Sequence, residues 1–382
     1  MTTSRRRRLL IVSQPLEAGV PRHVFDLVSF LDPTAYEIDV ACPRVSELWP
    51  SLEPLRHVRL HEMAPHRQPA LVDGRTLARL LPLVRRADII HAHSSKAGFL
   101  VRLAAAVQGR AAACVFTPHG WSFWSARGAR ARVYESLERL AARWCRRILA
   151  VSEYERRVGL RCRIGVADQY RVIPNGVDLE RFSAPPAPVR GRVLMVGRLA
   201  APKRPDVAVH AVAALCSRFP ELELHLVGDG PERPRVEALV AGLGLSRRVR
   251  LLGTRHDVPA LLAEAECLIV TSDYEACPLS VLEGMAAGIP VIAARVGGVP
   301  EIVDDGTTGI LVEPGRPDEL AAALAHLLSD RERARSIGDA GRCKVQAAFS
   351  SEGMSRAIVQ VYDEVTLAAQ VPQASRATAA SR

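Results

Sequence analysis

The chain has 382 residues, of which 48% are apolar and 24% charged. The composition excludes a wholly disordered chain. The length exceeds what one hydrophobic core usually holds, so we expect two globular domains. The net charge of +10 arises in residues 1–185, which hold 29 Lys and Arg against 17 Asp and Glu. This asymmetry indicates either an anionic partner, phospholipid head groups or nucleic acid, or a solvated arginine-rich surface.

Short aliphatic runs bounded by turn residues alternate with amphipathic stretches. The first half contains "RLLIVSQ", "YEIDVAC", "ADIIHAH", "ACVFTPHG", "RILAVS" and "YRVIPNG", and the second contains "RVLMVGRL", "LELHLVGDG", "VRLLGT", "ECLIVTS", "IPVIAA" and "TGILVEPG". Runs without polar alternation are typical of strands buried on both faces. The sequence therefore predicts an α/β protein with two doubly wound, Rossmann-like domains that face each other across a cleft.

The domain boundaries are predicted from composition. A Pro-rich segment without helical periodicity, "FSAPPAPVRGR", is typical of a linker, so we place an N-terminal domain at 1–184 and a C-terminal domain at 185–345. The chain after Pro317 has a helical pattern, and we expect residues 346–370 to form a helix that packs back toward the N-terminal domain. The small, polar tail at 371–382 is predicted to be disordered.

Neither a membrane span nor a signal peptide is predicted. No apolar run reaches the roughly 18 residues that cross a bilayer, and only four apolar residues directly follow the initial arginines. The eight cysteines form no C-x-x-C pair, which predicts reduced thiols, without disulfides or a zinc site. We therefore expect a cytoplasmic protein.

The stretch "SDYEACPLSVLEGMAAG" carries a candidate phosphate site. An aliphatic strand is predicted to end near Thr271, with Pro278 in the first turn of the next helix, so Leu279 and Ser280 present free backbone N–H groups to an anion. Glu275 and Glu283 flank this position. Carboxylates beside a phosphate are repulsive unless they accept hydrogen bonds from hydroxyl groups, and sugars supply hydroxyl groups.

A second loop, "VGRLAAPKRPD", follows another predicted strand. Gly197, which follows the last strand residue, is assigned to donor binding. Arg198 and Lys203 can neutralise a diphosphate leaving group. Each cation alone would more often be a solvated surface residue. Together with a helix N-terminus on a neighbouring strand, they favour a functional interpretation.

These motifs, with "GTRHDVPALLAEA", "TPHGWSFW" and "VIPNGVDLERF", resemble the family-4 glycosyltransferases, retaining enzymes of the GT-B fold that use nucleotide-sugar donors. The resemblance runs from about Leu10 to Ala325 and is strongest to members that build exopolysaccharides or lipid-linked glycans. It implies that Glu275 contacts the donor sugar, Glu283 holds the ribose, and Arg198 and Lys203 bind the diphosphate.

The resemblance also assigns three residues outside these two loops. It implies that the nucleobase is held near Arg255, that His119 lies near the transferred sugar, and that Gly19 lies in a loop close to donor phosphate and acceptor. The family often has Phe-Gly where this chain has Ala276-Cys277, which leaves the donor open. A UDP-hexose or UDP-N-acetylhexosamine is our first expectation and GDP-mannose the second.

The resemblance implies a mechanism of leaving-group stabilisation. The residues show no Ser/His/Asp or Cys/His set that would form a covalent intermediate. No D-x-D motif follows a strand, so we expect no metal and no cofactor. His91 and His93, two apart on a predicted strand, share a face, but without a third ligand a core or loop role is favoured over metal binding.

The acceptor is expected to be a hydroxyl group, possibly lipid-linked. The helix predicted within Arg130–Arg147 places Val133, Leu137, Leu140 and Trp144 on one stripe, with "WSFW" nearby as an aromatic anchor. Such a helix can lie on an anionic membrane surface, although an ordinary core-facing stripe is the favoured interpretation.

Other function classes remain as alternatives. A nucleotide-sugar 2-epimerase of the same fold would need no acceptor, and a non-catalytic sugar-nucleotide sensor would need no intact catalytic set. A phosphorylase is disfavoured because no lysine context for pyridoxal phosphate is recognisable. A nucleic-acid-binding module is disfavoured because no zinc finger or RNA-recognition motif is present, so we expect no nucleic-acid partner.

Overall fold

The computed structural model describes residues 5–16, 19–65 and 72–370. The chain divides into two compact units, one formed by Met1–Pro174 with Met354–Arg382 and the other by Asn175–Gly353. The tail at 371–382, for which disorder is predicted, lies outside the described residues. No helix in the described ranges is long and apolar enough to cross a membrane.

The first unit contains a seven-stranded sheet in the order β3-β2-β1-β4-β5-β6-β7, with all neighbouring strands parallel. The strands are β1 (Arg7–Ser13), β2 (Tyr36–Pro43), β3 (Val58–Met63), β4 (Ile89–His93), β5 (Cys114–Thr117), β6 (Arg147–Ala150) and β7 (Tyr170–Val172). Six of them coincide with the predicted aliphatic runs. β3 was not predicted, because this edge strand, "VRLHEM", is only partly covered and lacks an aliphatic run.

Helices cover both faces of this sheet. They are α1 (Gly19–Phe30), α2 (Leu48–Leu52), α3 (Asp73–Arg86), α4 (Ser95–Val107), α5 (Gly128–Ala141) and α6 (Glu153–Arg161). Alternate residues of β1 enter different cores, as the pleat of a strand requires. Leu9 and Ile11 pack in one hydrophobic cluster and Leu10 and Val12 in the other.

The second unit contains a six-stranded parallel sheet in the order β10-β9-β8-β11-β12-β13. Its strands are β8 (Arg192–Val196), β9 (Glu223–Val227), β10 (Val249–Gly253), β11 (Cys267–Val270), β12 (Val291–Ala294) and β13 (Ile310–Val312). Its helices are α7 (Pro205–Leu215), α8 (Arg233–Gly242), α9 (Val258–Ala263), α10 (Leu279–Ala286), α11 (Val299–Ile302), α12 (Pro317–Ser329) and α13 (Arg331–Ala348). Each of its strands coincides with a predicted run.

The last helix, α14 (Ser351–Gln370), packs in the first unit. Its Ile358, Val361 and Tyr362 share a hydrophobic cluster with Leu9 and Ile11 of β1. The predicted break at 345/346 falls inside α13, whose final turn continues to Ala348. Helix α14 therefore starts at Ser351, later than the expected residue 346.

The first boundary also differs from the predicted position at 184/185, since the contacts divide the chain after Pro174. The segment that follows already bonds within the second unit. Val177 N–H donates to the Phe349 carbonyl at 2.8 Å, and Ala187 N–H donates to the Ala263 carbonyl at 2.8 Å. The Pro-rich composition thus marks an irregular segment that is held against the second unit by backbone hydrogen bonds.

Both strand orders contain a topological switch point, between β1 and β4 in the first sheet and between β8 and β11 in the second. At such a point the connections on the two sides run in opposite directions, which leaves a crevice beyond the carboxyl ends of the strands. The segments at these points carry most of the predicted site residues, since Gly19 follows β1, Arg198 and Lys203 follow β8, and Glu275 follows β11.

Candidate active site

Glu275 lies in the loop that connects β11 to α10 and is held by two donors. Its Oε1 accepts hydrogen bonds from Lys203 Nζ and from Ser272 Oγ, the latter at 2.7 Å. The side chain of Glu275 is 11% exposed and that of Lys203 is 32% exposed. The structure therefore brings together two of the predicted site residues, from loops on adjacent strands, in a partly desolvated ion pair.

The loop after β8 is fixed against the loop after β11 by hydrogen bonds that involve the backbone. Thr271 Oγ1 donates to the carbonyls of Lys203 and Arg204 at 2.8 and 2.9 Å, and Asp273 N–H donates to the Pro202 carbonyl at 2.8 Å. Arg204, in the left-handed region at φ +49°, also bonds to Asp273. Lys203 is thus held in position by its own backbone as well as by Glu275.

Gly197 and Arg198 begin the same loop. Gly197 has φ +153°, its N–H donates to the Val227 carbonyl at 2.9 Å, and a Cβ built on it meets open space. The backbone of Gly197 does pass close to Gly228, because a Cβ on Gly228 would lie 2.1 Å from the Gly197 carbonyl oxygen. Arg198 is half-buried at the carboxyl end of β8.

Leu279 and Ser280 are the first two residues of α10, as predicted, and both are half-buried. Pro278 precedes the helix as its N-cap, with extended backbone, so it does not belong to the first turn. The N–H groups of a first turn have no partner within the helix. Glu283 lies one turn later and is half-buried.

Three residues that were not assigned from the sequence hold the loop between β11 and α10. A Cβ on Gly297 would lie 1.8 Å from the Glu275 carbonyl oxygen, and Gly298 N–H donates to that oxygen at 3.1 Å. Asn175 Nδ2 donates to the Cys277 carbonyl at 2.7 Å. The signal was present in "ARVGGVPEIV" and "VIPNGVD", where a glycine pair and an asparagine interrupt aliphatic residues.

Arg255 lies in the loop after β10 and is exposed. Its guanidinium bonds to Asp257, which raises the pKa of Arg255 and lowers that of Asp257. The structure therefore does not bring Arg255 into the Lys203–Glu275 pair. Its predicted place near the nucleobase stays a prediction.

In the first unit, His119 follows β5 in the left-handed region at φ +55°. Its Nε2 lies 3.0 Å from His93 Nδ1, and its ring lies edge-to-face with His23, with the centroids 4.6 Å apart. Burial is the main cause that lowers the pKa of His93 and of His119 well below the ordinary value. Both imidazoles are therefore neutral at pH 7.

The core role that the sequence favours for His91 agrees with its burial and its hydrogen bonds. His91 Nδ1 lies 2.7 Å from Tyr362 Oη and its Nε2 lies 2.8 Å from Thr117 Oγ1, so both of its nitrogens are occupied. His93 instead groups with His23 and His119. Gly19, expected in a loop, is the first residue of α1, on the helix that carries His23.

Glu155 supports the turn that carries His119 and was not singled out from the sequence. Its carboxylate accepts from Gly120 N–H and from Val151 N–H, the latter at 2.8 Å, while its own carbonyl accepts from the Trp121 indole at 3.0 Å. Burial raises the pKa of Glu155 to about 7. The "TPHGW" turn is thus anchored to the start of α6.

The apolar stripe of α5 was expected to face the core, and the structure contradicts this for three of its four residues; the fourth, Trp144, lies beyond α5 and its ring packs edge-on against Phe99. Val133, Leu137 and Leu140 are 54%, 37% and 40% exposed, and the buried residues of α5 are Glu138 and Ala141. Trp121, from the predicted aromatic anchor, is buried instead. The core side of α5 is occupied by Glu138, which pairs with buried Arg102 on α4.

Two solved structures illustrate the likeness of the fold. The structure of Anabaena Alr3699/HepE in complex with UDP-glucose matches 94% of this chain and 99% of its own, with a TM-score of 0.81 and 23% identity. The structure of WaaG, a glycosyltransferase involved in lipopolysaccharide biosynthesis, matches 94% of this chain and 99% of its own, with a TM-score of 0.73 and 17% identity. The two Rossmann-like units define a protein of the GT-B class, as predicted.

Family models identify the two halves. The model of glycosyltransferase family 4 matches residues 18–181, and that of glycosyl transferases group 1 matches residues 178–344. The chain therefore belongs to the family-4, or group 1, glycosyltransferases, which confirms the resemblance seen in the sequence.

Two curated relatives illustrate the range of the family. The Escherichia coli UDP-Gal:alpha-D-GlcNAc-diphosphoundecaprenol alpha-1,3-galactosyltransferase is 28% identical over 83% of this chain and 86% of its own length. The MMP alpha-(1->4)-mannosyltransferase of Mycolicibacterium hassiacum is 36% identical over 52% of this chain and 49% of its own length. In the second case, the match spans about half of the relative.

Proposed function

We propose that the protein is a retaining hexosyltransferase that moves a sugar from a nucleoside diphosphate to an acceptor hydroxyl group, with UDP-sugars as the first donor class and GDP-mannose as the second. The observation that carries the proposal is the Lys203–Glu275 pair beside the first turn of α10. Relatives support the donor order, since the Escherichia coli enzyme is named for UDP-Gal and HepE was solved with UDP-glucose.

The pair can bind both parts of such a donor. Lys203 and Ser272 both bond to Oε1 of Glu275, which leaves Oε2 to accept a hydrogen bond from a sugar hydroxyl. The ammonium group of Lys203 has three donors, so it can hold a diphosphate oxygen while it remains paired with Glu275. Glu283, one helical turn beyond Leu279 and Ser280, is our proposed ribose ligand.

The proposed chemistry rests on stabilisation of the leaving group. Arg198, Lys203 and the first N–H groups of α10 bind the diphosphate as the bond between the anomeric carbon and its phosphate oxygen breaks. The acceptor oxygen bonds to the anomeric carbon on the same face, and its proton passes to that phosphate oxygen. For His119 in the first unit, we propose a role beside the transferred sugar.

The test of the donor class is thermal stabilisation by UDP, GDP and ADP and by their sugar conjugates, since a ligand that binds only the folded state raises its stability. We expect one nucleotide to stabilise the protein, and Arg198→Ala or Glu283→Ala to abolish the shift. Arg190→Ala is the matched control, because Arg190 precedes β8 and its side chain is 71% exposed. If no nucleotide shifts the protein, the donor proposal fails.

Turnover then separates transfer from the alternatives. A transferase consumes the donor and forms a glycoside only when an acceptor is present, whereas a 2-epimerase converts the donor without an acceptor and a sensor leaves it unchanged. An anomeric NMR signal of the product with the configuration of the donor would support retention. The opposite configuration would refute it.

We further propose that the enzyme works at the inner face of the cell membrane on a lipid-linked acceptor. Support comes from the exposed Val133, Leu137 and Leu140 on α5 and from exposed Arg130 and Arg132 on the same helix. An amphipathic helix with arginines around an apolar stripe suits an anionic lipid surface. The Escherichia coli relative is named for a diphosphoundecaprenol acceptor.

Sedimentation with phosphatidylglycerol vesicles at low salt tests this surface. We expect binding that Val133→Ser with Leu137→Ser weakens, and that salt and neutral phosphatidylcholine vesicles reduce. Leu243→Ser is the matched control, because this leucine of the second unit is 41% exposed. Equal binding by all three proteins would exclude α5 as the membrane surface.

A further inference from the structure

Three histidines from separate segments converge in the first unit. His23 lies on α1, His93 ends β4 and His119 follows β5. One ring nitrogen of each lies within 4.8 Å of the corresponding atoms of the other two. In the described ranges no other group of three or more His, Cys, Asp or Glu side chains has this spacing.

Within the described residues, His93 has one buried nitrogen without a hydrogen-bond partner. His93 is fully buried, its Nδ1 pairs with His119 Nε2 at 3.0 Å, and its Nε2 has no partner among the described residues. A buried polar atom without a partner costs free energy, and a cation coordinated by this nitrogen removes that cost. The ring of His91 is close to that of His93, with centroids 4.0 Å apart, but Tyr362 and Thr117 occupy both nitrogens of His91.

We propose that His23, His93 and His119 form a binding site for Zn²⁺ or a similar transition-metal ion, and that occupation of this site inhibits the enzyme. Neutral imidazole suits Zn²⁺, Cu²⁺ and Ni²⁺, whereas Mg²⁺ prefers oxygen ligands. Three protein ligands leave a fourth tetrahedral position for water. The site is therefore selective for ions that bind nitrogen.

The geometry sets what binding requires. Zn–N bonds of about 2.0–2.1 Å in a tetrahedron place the ligand nitrogens about 3.3 Å apart. The three nitrogens, now within 4.8 Å of one another, draw together by rotation of their side chains. A bound ion engages a nitrogen of His119 and so withdraws this residue from the role proposed for it, which is the step that rests on the proposed function.

Binding is measured apart from activity. Full-length protein is freed of metal with EDTA and titrated with Zn²⁺ by calorimetry, and Co²⁺ is added as a spectroscopic probe, because tetrahedral Co²⁺ absorbs strongly in the visible region. We expect one Zn²⁺ per chain and no competition by Mg²⁺. A Zn²⁺ titration without heat and a Co²⁺ spectrum like that of the free ion would overturn the site.

Matched variants locate the ion. His23→Asn and His93→Asn each remove one ligand and are expected to weaken Zn²⁺ binding by at least the 10–100-fold seen when outer-shell partners of a metal site are lost. His210→Asn is the control, because this exposed histidine lies on α7 in the second unit. Should His93→Asn fail to fold, as judged by circular dichroism, His23→Asn decides the outcome; unchanged affinity in a folded His23→Asn would refute the assignment.

Inhibition is tested with the best donor and acceptor. We expect Zn²⁺ to suppress turnover over the same concentration range in which it binds, EDTA to restore it, and His23→Asn to shift the inhibition to higher Zn²⁺. Full activity in protein saturated with Zn²⁺ would overturn the inhibitory role while leaving the site. If no donor is turned over at all, the proposed function fails, and calorimetry still decides whether the metal site exists.

Discussion

Replacement of Lys203 by alanine is the sharpest test of the donor site. Lys203 provides the ammonium group that bonds to Glu275, and the carbonyl of Lys203 accepts from Thr271. The backbone bonds survive the substitution, so the loop is expected to keep its place. The change therefore removes one charged donor from a preorganised, partly desolvated position.

The expected magnitude follows from that position. Removal of one preorganised donor that stabilises charge in a transition state typically costs about 2.7–4 kcal/mol, or roughly 100- to 1000-fold in turnover. The side chain of Lys203 is 32% exposed, so solvent screens part of its charge and we expect a loss near the lower limit, roughly 100-fold. Glu275 keeps its bond from Ser272, so we expect the stability of the fold to change little.

The assay is the release of nucleoside diphosphate at saturating donor, with the thermal midpoint measured in parallel. Lys344→Ala is the matched control, because Lys344 in the same unit pairs with Asp304 at 2.9 Å and is 23% exposed. We expect this control to turn over at the rate of the unaltered protein. Turnover of Lys203→Ala within a few-fold of the control would refute the role of Lys203 in stabilising the leaving group.

Three other changes test the packing around the two sites. Asn175→Ala removes the donor to the buried Cys277 carbonyl and should lower the free energy of unfolding in urea by about 1–3 kcal/mol and weaken donor binding. Gly297→Ala places a Cβ 1.8 Å from the Glu275 carbonyl oxygen at φ +56°; calorimetric unfolding should show a loss of at least about 1–3 kcal/mol, with reduced turnover. Burial raises the pKa of Glu155 to about 7 from 4.5, so between these pH values the folded state binds a proton that the unfolded chain has lost. The free energy of unfolding should therefore fall by about 3 kcal/mol as the pH rises from 4.5 to 7. Glu155→Gln should flatten this dependence in urea titrations.

Each of these predictions has an outcome that contradicts it. Unchanged stability and donor binding in Asn175→Ala would show that the bond to Cys277 does not position the loop. A stable, active Gly297→Ala would mean that the backbone near Glu275 relaxes freely. A slope with pH that persists in Glu155→Gln would assign the titration to another group.

The sequence alone was sufficient for most of the fold. Aliphatic runs between turn residues predicted twelve of the thirteen strands, because a parallel strand buried on both faces needs apolar residues at every position. The missing strand, β3, lies at the edge of its sheet and is only partly covered. Its "VRLHEM" therefore carries polar residues that conceal it.

The local start of α10 was also predictable. Pro278 followed by an apolar helical pattern and Gly288 limits the helix from both ends, and the structure gives Leu279–Ala286. The spacing of Glu275 and Glu283 around this start follows from the chain itself. Their roles toward a donor remain predictions from the resemblance.

Tertiary structure decided which distant residues meet. No local pattern pairs Lys203 with Glu275 or places Asn175 on the Cys277 carbonyl. The first contact depends on β8 and β11 being neighbours in the sheet, and the second depends on where the segment after β7 packs. The exposed face of α5 was misjudged for a related reason. Periodicity shows that a helix has an apolar stripe, but the buried pair Arg102–Glu138 determines which side of α5 faces the core.

The histidines show the same division. The sequence placed His91 and His93 on one face of a strand, as a period of two requires. Only the folded chain shows that Tyr362 and Thr117 form hydrogen bonds with the two ring nitrogens of His91. Only there do His23 and His119 lie close to His93. A strand's own pattern fixes where its side chains point, whereas the partners that they find depend on segments far away in sequence.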